Sequence, residues 1–304
     1  MSTITAQARV AVDAPAVSLA TAPETRRSRI LKTVRSAPLV IKLCMLVMLL
    51  AVVVALFAPV IAPIDPAKQD LRARLAGPSS AHWFGADQLG RDVFARTVYG
   101  TRISIGVALI GSIAGLIVGT VLGTLSGYLR GRFDNVVMFL VDAQQALPFI
   151  ILALVAIAIF GPSIPTLLLL ISIAGWEVYA RFSRASTLVV RESQYVLAAR
   201  SIGTSEPQIL RRHVLPNILA PLIVIGTMNV TGLIMLESSL SFLGVGVQPP
   251  TPSWGGMIAE GRQYLNTAVW IVGGPALAMV LLTLSISLVG DWLRDVLDPT
   301  SRRR

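Results

Sequence analysis

Charge is scarce in this sequence. Only 14% of its 304 residues are Asp, Glu, Lys or Arg, against about 25% in a soluble globular domain. Cysteine and histidine are scarcer still, with one Cys, Cys44, and two His, His82 and His213. A single cysteine rules out an intrachain disulfide, and one Cys with two separated His argues against a metal centre. Neither histidine has catalytic company: there is no Ser-His-Asp arrangement, no HExxH and no CxxC. A GxxxxGK[ST] phosphate loop is also missing. If the chain takes part in ATP-driven work, another polypeptide must hold the ATPase. Aromatics make up 6% of the chain and no alternation of apolar and polar residues is sustained, which argues against a transmembrane β-barrel.

What the chain has in quantity is apolar length. It is 54% hydrophobic, with a mean hydropathy of +0.72. A bilayer core needs about 20 apolar residues as helix, and six segments qualify: about 39–63, 103–129, 135–160, 164–182, 217–240 and 268–290. The expected fold is all-α and polytopic, with six transmembrane helices. Residues 43–64 carry no charge; the run is too long for a signal-peptide core, so it reads as an anchor. Residues 1–38, rich in Ala, Ser, Thr and Val and then basic, read as a flexible cytoplasmic tail, and 39–300 as the transmembrane domain.

The net charge is +10. In a soluble protein that would suggest nucleic acid; between membrane spans it reads as positive charge retained in the cytoplasm. Most of the 26 Lys and Arg fall in 1–38, 130–134, 181–216 and 291–304. That split places both termini and the loop 181–216 inside, and the segments 64–100 and 241–267 outside.

Two patterns mark the spans. Gly111, Gly115, Gly119, Gly123 and Gly127 recur every four residues, which forms a groove along one helix face for close packing, either within this chain or on a second one. Asp142 and Glu177 are costly at membrane depth. With Gln144, Gln145 and Pro148 after it, Asp142 suggests a kinked, polar-lined stretch, so Asp142, Gln145 and Glu177 are candidate pathway groups. Both acids also lie close enough to the cytoplasmic ends for interfacial placement or local salt bridging. Glu237, near the outer end of the fifth span, reads the same way.

The loop 181–216 is polar and basic, and long for a connection. Arg181 to Ile202 reads as one amphipathic helix, with the small residues Ala198 and Ala199 near its end. Gly203 supplies a left-handed or otherwise tight turn where a Cβ would clash. Ser205 and Gln208 form a capping-box pattern for a second short helix, with Pro207 in its first turn. Leu215-Pro216 is expected to end that helix. The result is a compact knob held out from the membrane.

The order Ala198-Ala199, three residues, Gly203, nine residues, His213-Val-Leu-Pro216 resembles the cytoplasmic loop of bacterial ABC-importer permeases. Three more blocks are similar to the dipeptide, oligopeptide and nickel branch of that family, nearest its second, C-type, permease subunit. These are His82–Asp92, Ser239–Gly255 and Gly290–Pro299. The resemblance implies a type I ABC-importer permease fold, N-in and C-in, in the bacterial cytoplasmic (inner) membrane. It implies docking of Ala198, Ala199, Arg200, Ser201, Ile202, Gly203, Thr204, Ser205 and Glu206 on an ABC ATPase, with His213, Leu215 and Pro216 structural at the loop end. The implied partners are a second permease, ATPase subunits that bind ATP and Mg, an extracytoplasmic solute-binding protein and membrane lipid; no cofactor is implied on this chain. Peptides are the leading substrate class, with nickel or other small solutes open. One position departs from the family: Leu197 stands where a Glu is usual. The competing reading is a secondary transporter that uses Asp142 and Glu177 as ion carriers.

Overall fold

The computed structural model describes residues 35–297, so the expected tail lies outside the described residues except for 35–38. Among the described residues there is no strand, and the helices are α1 (Leu39–Leu56), α2 (Ala58–Ile61), α3 (Val93–Leu129), α4 (Gly131–Ala146), α5 (Phe149–Phe160), α6 (Ile164–Ile173), α7 (Trp176–Arg191), α8 (Gln194–Ser201), α9 (Glu206–Ile209), α10 (Leu215–Phe242), α11 (Trp254–Gly261) and α12 (Trp270–Leu297).

Five helical runs are long and apolar enough to cross a membrane: α1, α3, Ile164–Arg191, Glu206–Phe242 and Trp270–Val296. The pair α4 and α5 makes a sixth if taken as one crossing, but it is bent by 92°. The bend falls at Leu147-Pro148. Leu147 is extended, at φ −104° and ψ 136°, because a following proline disfavours the helical region. The kink expected beside Pro148 is therefore present, and it is sharp.

Span two begins earlier than expected, at Val93 rather than 103, because the Asp92 side chain accepts the Ala95 N–H at 2.7 Å and caps the helix there. Its 37 residues make a rod of about 55 Å at 1.5 Å per residue.

From Gly115 to Gly127 the glycine groove of α3 faces α7 and its start in the same chain, while Gly111 meets Ile171 of α6. A Cβ added at Gly123 would stand 2.7 Å from Ala180 Cα, and one at Gly127 would stand 2.7 Å from the Arg184 carbonyl oxygen. Gly115 meets the backbone of Gly175 and Trp176 in the same way. Without side chains between them, the two backbones touch, and Ser112 Oγ lies 3.0 Å from Tyr179 OH across the seam. Close contact of this kind holds helices together where lipid offers no hydrophobic drive. A buried core of Val107, Ala153, Ile157, Leu170, Ile171, Leu233, Ile234 and Leu282 joins α3, α5, α6, α10 and α12.

At the Val93 end of α3, the segment before it is tied to α11. Asp87 receives the Arg91 Nε at 2.6 Å and also pairs with Arg96, and Glu260 receives Arg91 at 2.6 Å and Arg96 at 3.0 Å. Asp87, Arg91 and Arg96 are all buried. His82, which looked solitary in the sequence, lies 2.8 Å from Asp92.

Candidate functional site

The basic loop folds as a small unit. The expected single helix over 181–202 is in fact two: α7 stops at Arg191, Glu192 and Ser193 break the run, and α8 restarts at Gln194. Ser193 is extended, at φ −68° and ψ 147°, and its hydroxyl donates to the Val190 carbonyl at 2.6 Å. That bond draws the chain out of the helical path.

After α8 the backbone closes in a Schellman arrangement. Thr204 N–H donates to the Ala199 carbonyl at 3.1 Å and Gly203 N–H to the Arg200 carbonyl at 3.0 Å. Gly203 has φ +82°, and nothing lies within 4 Å of where its Cβ would be. Backbone conformation, rather than crowding, is what requires glycine there.

Ser205 occupies the N-cap position of α9, but its hydroxyl makes no capping bond, contrary to the capping-box expectation. Pro207 has no N–H to offer, and the Gln208 N–H goes to the Ser205 carbonyl at 3.0 Å. Neither donor that a cap normally takes, the N2 or the N3 N–H, is then left for the hydroxyl. Nor does Leu215-Pro216 end a helix. A π-helical turn over Leu210–Val214 leads straight into α10, with the Leu215 N–H on the Leu210 carbonyl. Pro216, the second residue of α10, has no N–H to return to this preceding turn.

The loop has its own core of Val196, Ala199, Ile209 and Val214, together with Tyr128 from the last turn of α3. Ala198 is exposed while Ala199 is buried, so the pair has two duties. Leu197, Ile202, Gly203, Ser205 and Glu206 are exposed beside Ala198. Arg200 Nε donates to Glu206 at 2.9 Å, and that bond, with a smaller part from Tyr128, holds the guanidinium above its ordinary value. At the loop's other end, Asn217 Nδ2 donates to Tyr195 OH at 3.1 Å and to the His213 carbonyl at 2.6 Å, with the His213 and Tyr195 rings 6.1 Å apart. His213 thus sits at this end of the loop, its ring beside that of Tyr195.

The candidate pathway groups form two clusters between α4 and α7. Arg181 donates to Asp142 at 2.7 Å and to Gln145 at 2.8 Å, both exposed. Glu177 accepts from Gln144 Nε2 at 3.1 Å, and Gln144 Oε1 accepts the Trp176 indole N–H at 2.7 Å. Asp142 is locally salt-bridged, as one of the sequence alternatives had it. Glu237 is wholly buried within the chain and accepts from Ser241 Oγ at 2.8 Å. Serine neighbours one and four residues on could have signalled that placement. Tyr128 and Arg184, which holds Asp134 through two nitrogens at 2.5 and 2.7 Å, gave no sequence signal. Among the described residues no group of three or more His, Cys, Asp or Glu could hold a metal ion.

The helices and the folded basic loop define a polytopic helical membrane protein. Residues 115–303 match the family described as binding-protein-dependent transport system inner membrane component, and residues 42–78 match the N-terminal TM domain of oligopeptide transport permease C. The chain belongs to the first of these families, the inner-membrane permeases of ABC importers. It is 44% identical to a probable peptide ABC transporter permease protein of Sinorhizobium fredii over 79% of this chain and 82% of that one. It is 37% identical to the dipeptide transport system permease protein DppC of Alkalihalophilus pseudofirmus, over 74% of each. It is 41% identical to the glutathione transport system permease protein GsiD of Escherichia coli, over 73% of this chain and 74% of that one. Among solved structures, a chain from an inward-facing form of the MetNI methionine ABC transporter matches with a TM-score of 0.54 at 20% identity. That match covers 67% of this chain and 97% of that one, and the shared feature is the type I importer permease fold. The chain is therefore a multi-pass inner-membrane subunit and not itself an enzyme. ATP hydrolysis belongs to separate ATPase subunits, which work with a permease partner.

Proposed function

We propose that this permease moves peptides, and that its loop 181–216 is the surface on which the ATPase docks. Peptide is the substrate class named for its relatives in Sinorhizobium and Alkalihalophilus. The observation that carries the docking role is the loop's construction. It has a closed core, a glycine-dependent turn and an exposed rim of Ala198, Ser201, Ile202, Gly203, Ser205 and Glu206. Ile202, 83% exposed, is an apolar anchor that a partner cleft would cover. The distribution of Lys and Arg supports a cytoplasmic side for this loop and both termini. In this arrangement 64–100 and 241–267 face outward and meet a solute-binding protein, lipid surrounds the spans, and ATP with Mg sits on the ATPase pair. Closure of that pair moves the loop as a rigid body, and the pathway opens to each side in turn.

The ion-gradient alternative loses ground because Asp142 is committed to Arg181 and Glu177 to Gln144.

The test is affinity purification of the chain co-expressed with its neighbouring permease and ATPase genes. Gly203→Val places a β-branched residue at positive φ, a genuine backbone outlier. It should leave membrane insertion intact and abolish recovery of the ATPase. Full recovery with the valine variant would end the docking assignment.

A further inference from the structure

Tyr128 lies outside the loop in sequence but inside it in space. Val196, Ala199, Ile209 and Val214 in the loop's core, like the flanking Val190 and Leu210, all come from residues 181–216; Tyr128 alone comes from elsewhere, the last turn of α3. Its hydroxyl donates to the Glu206 carboxylate, which also receives Arg200 Nε at 2.9 Å and Arg200 Nη2 at 3.2 Å. Arg191 donates to the Tyr128 carbonyl, and its guanidinium stands 5.3 Å from the ring centroid. One residue is thus fixed to both halves of the knob. It holds α7's end through Arg191, and it holds the α8–α9 turn through Glu206 and Arg200.

Glu206 and Arg200 stand on the rim assigned to docking, yet they spend their charges on each other and on Tyr128. Such a pair is poorly placed as a partner's anchor and well placed as a joint. Next to Tyr128, Gly127 is in backbone contact with Arg184, and Ser126 donates to Asp134, which Arg184 also holds. The joint therefore continues into α4 and α7.

We infer that Tyr128 is the positioning residue that makes the docking knob and α3 move as one body, so that force applied by the ATPase enters the spans through the end of α3. This rests on the docking reading and adds the route by which the movement travels. Tyr128→Phe keeps the ring in the core and removes only the hydroxyl, so the knob itself stays folded. Glu206→Gln weakens the same joint from the other side.

The experiment uses the whole complex, with Cys44→Ser as background. Spin labels sit at Gln208→Cys on the knob and at Arg102→Cys toward the far end of α3, both exposed. Their separation is measured without nucleotide and after trapping with ATP and vanadate. With Tyr128 present, the separation should be single and the same in both states. With Tyr128→Phe it should shift by about 2 Å or more, or split, on trapping, while the ATPase is still recovered; in whatever Glu206→Gln complex is recovered, the same shift is expected. Combining the two substitutions should add nothing further. An unchanged separation in the Tyr128→Phe complex would overturn the inference and leave docking standing. So would a knob that already moves against α3 in the unsubstituted complex. Loss of the ATPase with Tyr128→Phe would reduce Tyr128 to a prop for the docking surface. Failure of the unsubstituted chain to recover any ATPase would overturn the docking reading, and this one with it.

Discussion

Replacing Gly123 with alanine tests the packing that holds the bundle together. The added Cβ would stand 2.7 Å from Ala180 Cα and 2.8 Å from its carbonyl carbon. Carbon atoms rest at about 3.5–4.0 Å, so the two backbones must part by roughly 1 Å. No rotamer can relieve the clash, because every obstructing atom is main chain. Overpacking of this kind costs about 1–3 kcal/mol. An internal control lies in the same helix. Gly106 has nothing within 4 Å of its Cβ position, so Gly106→Ala feels only the gain in helix propensity, about 1 kcal/mol or less. The two alanine variants should therefore differ by about 1–3 kcal/mol, with Gly123→Ala the less stable. The chain's one cysteine supplies the assay. Cys44 is buried, and a maleimide that fluoresces on reaction reports its exposure as the detergent-solubilised protein is heated. The two midpoints should be separated by roughly 2–10 °C. Equal midpoints, or a higher one for Gly123→Ala, would refute the claim that backbone contact between α3 and α7 carries the fold.

Two further outcomes are expected. Asp142→Asn and Glu177→Gln should leave ATP-dependent uptake of a labelled dipeptide within about twofold, as expected of groups used only for local packing; abolished uptake, together with dependence on an ion gradient, would restore the secondary-transporter reading. Asp87→Asn leaves two buried guanidinium groups with Glu260 as their one carboxylate, and should cost about 3–5 kcal/mol, read by the same thermal assay and by faster protease cleavage within 64–92.

Periodicity and composition carried the sequence reading a long way, because a membrane span must satisfy its own backbone over about 20 residues and so leaves a local record. The glycine spacing of α3 is such a record, as is Gly203, whose positive φ is a property of one residue. The failures have a common cause. The break at Glu192–Ser193 depends on one hydroxyl choosing a backbone acceptor. The unused cap at Ser205 depends on Pro207 removing the donor. The burial of Glu237 and the ion pairs of Arg91 and Arg96 with Glu260 depend on which elements meet in space; Arg91 and Glu260 are 169 residues apart. Tyr128 is the clearest case. Nothing in Leu125–Arg130 distinguishes it from an interfacial tyrosine, and only the folded loop shows what it touches.

The length of α3 has a consequence for how the two faces of the membrane communicate. The hydrocarbon core is about 30 Å thick, and a rod of about 55 Å passes well beyond it. Fixed to α7 along its glycine seam, such a rod would tilt together with α7 as one unit. A tilt of about 10° around its middle swings each tip by about 5 Å, in opposite directions. Closing on one face and opening on the other then become a single rotation, with no bond inside the helix altered.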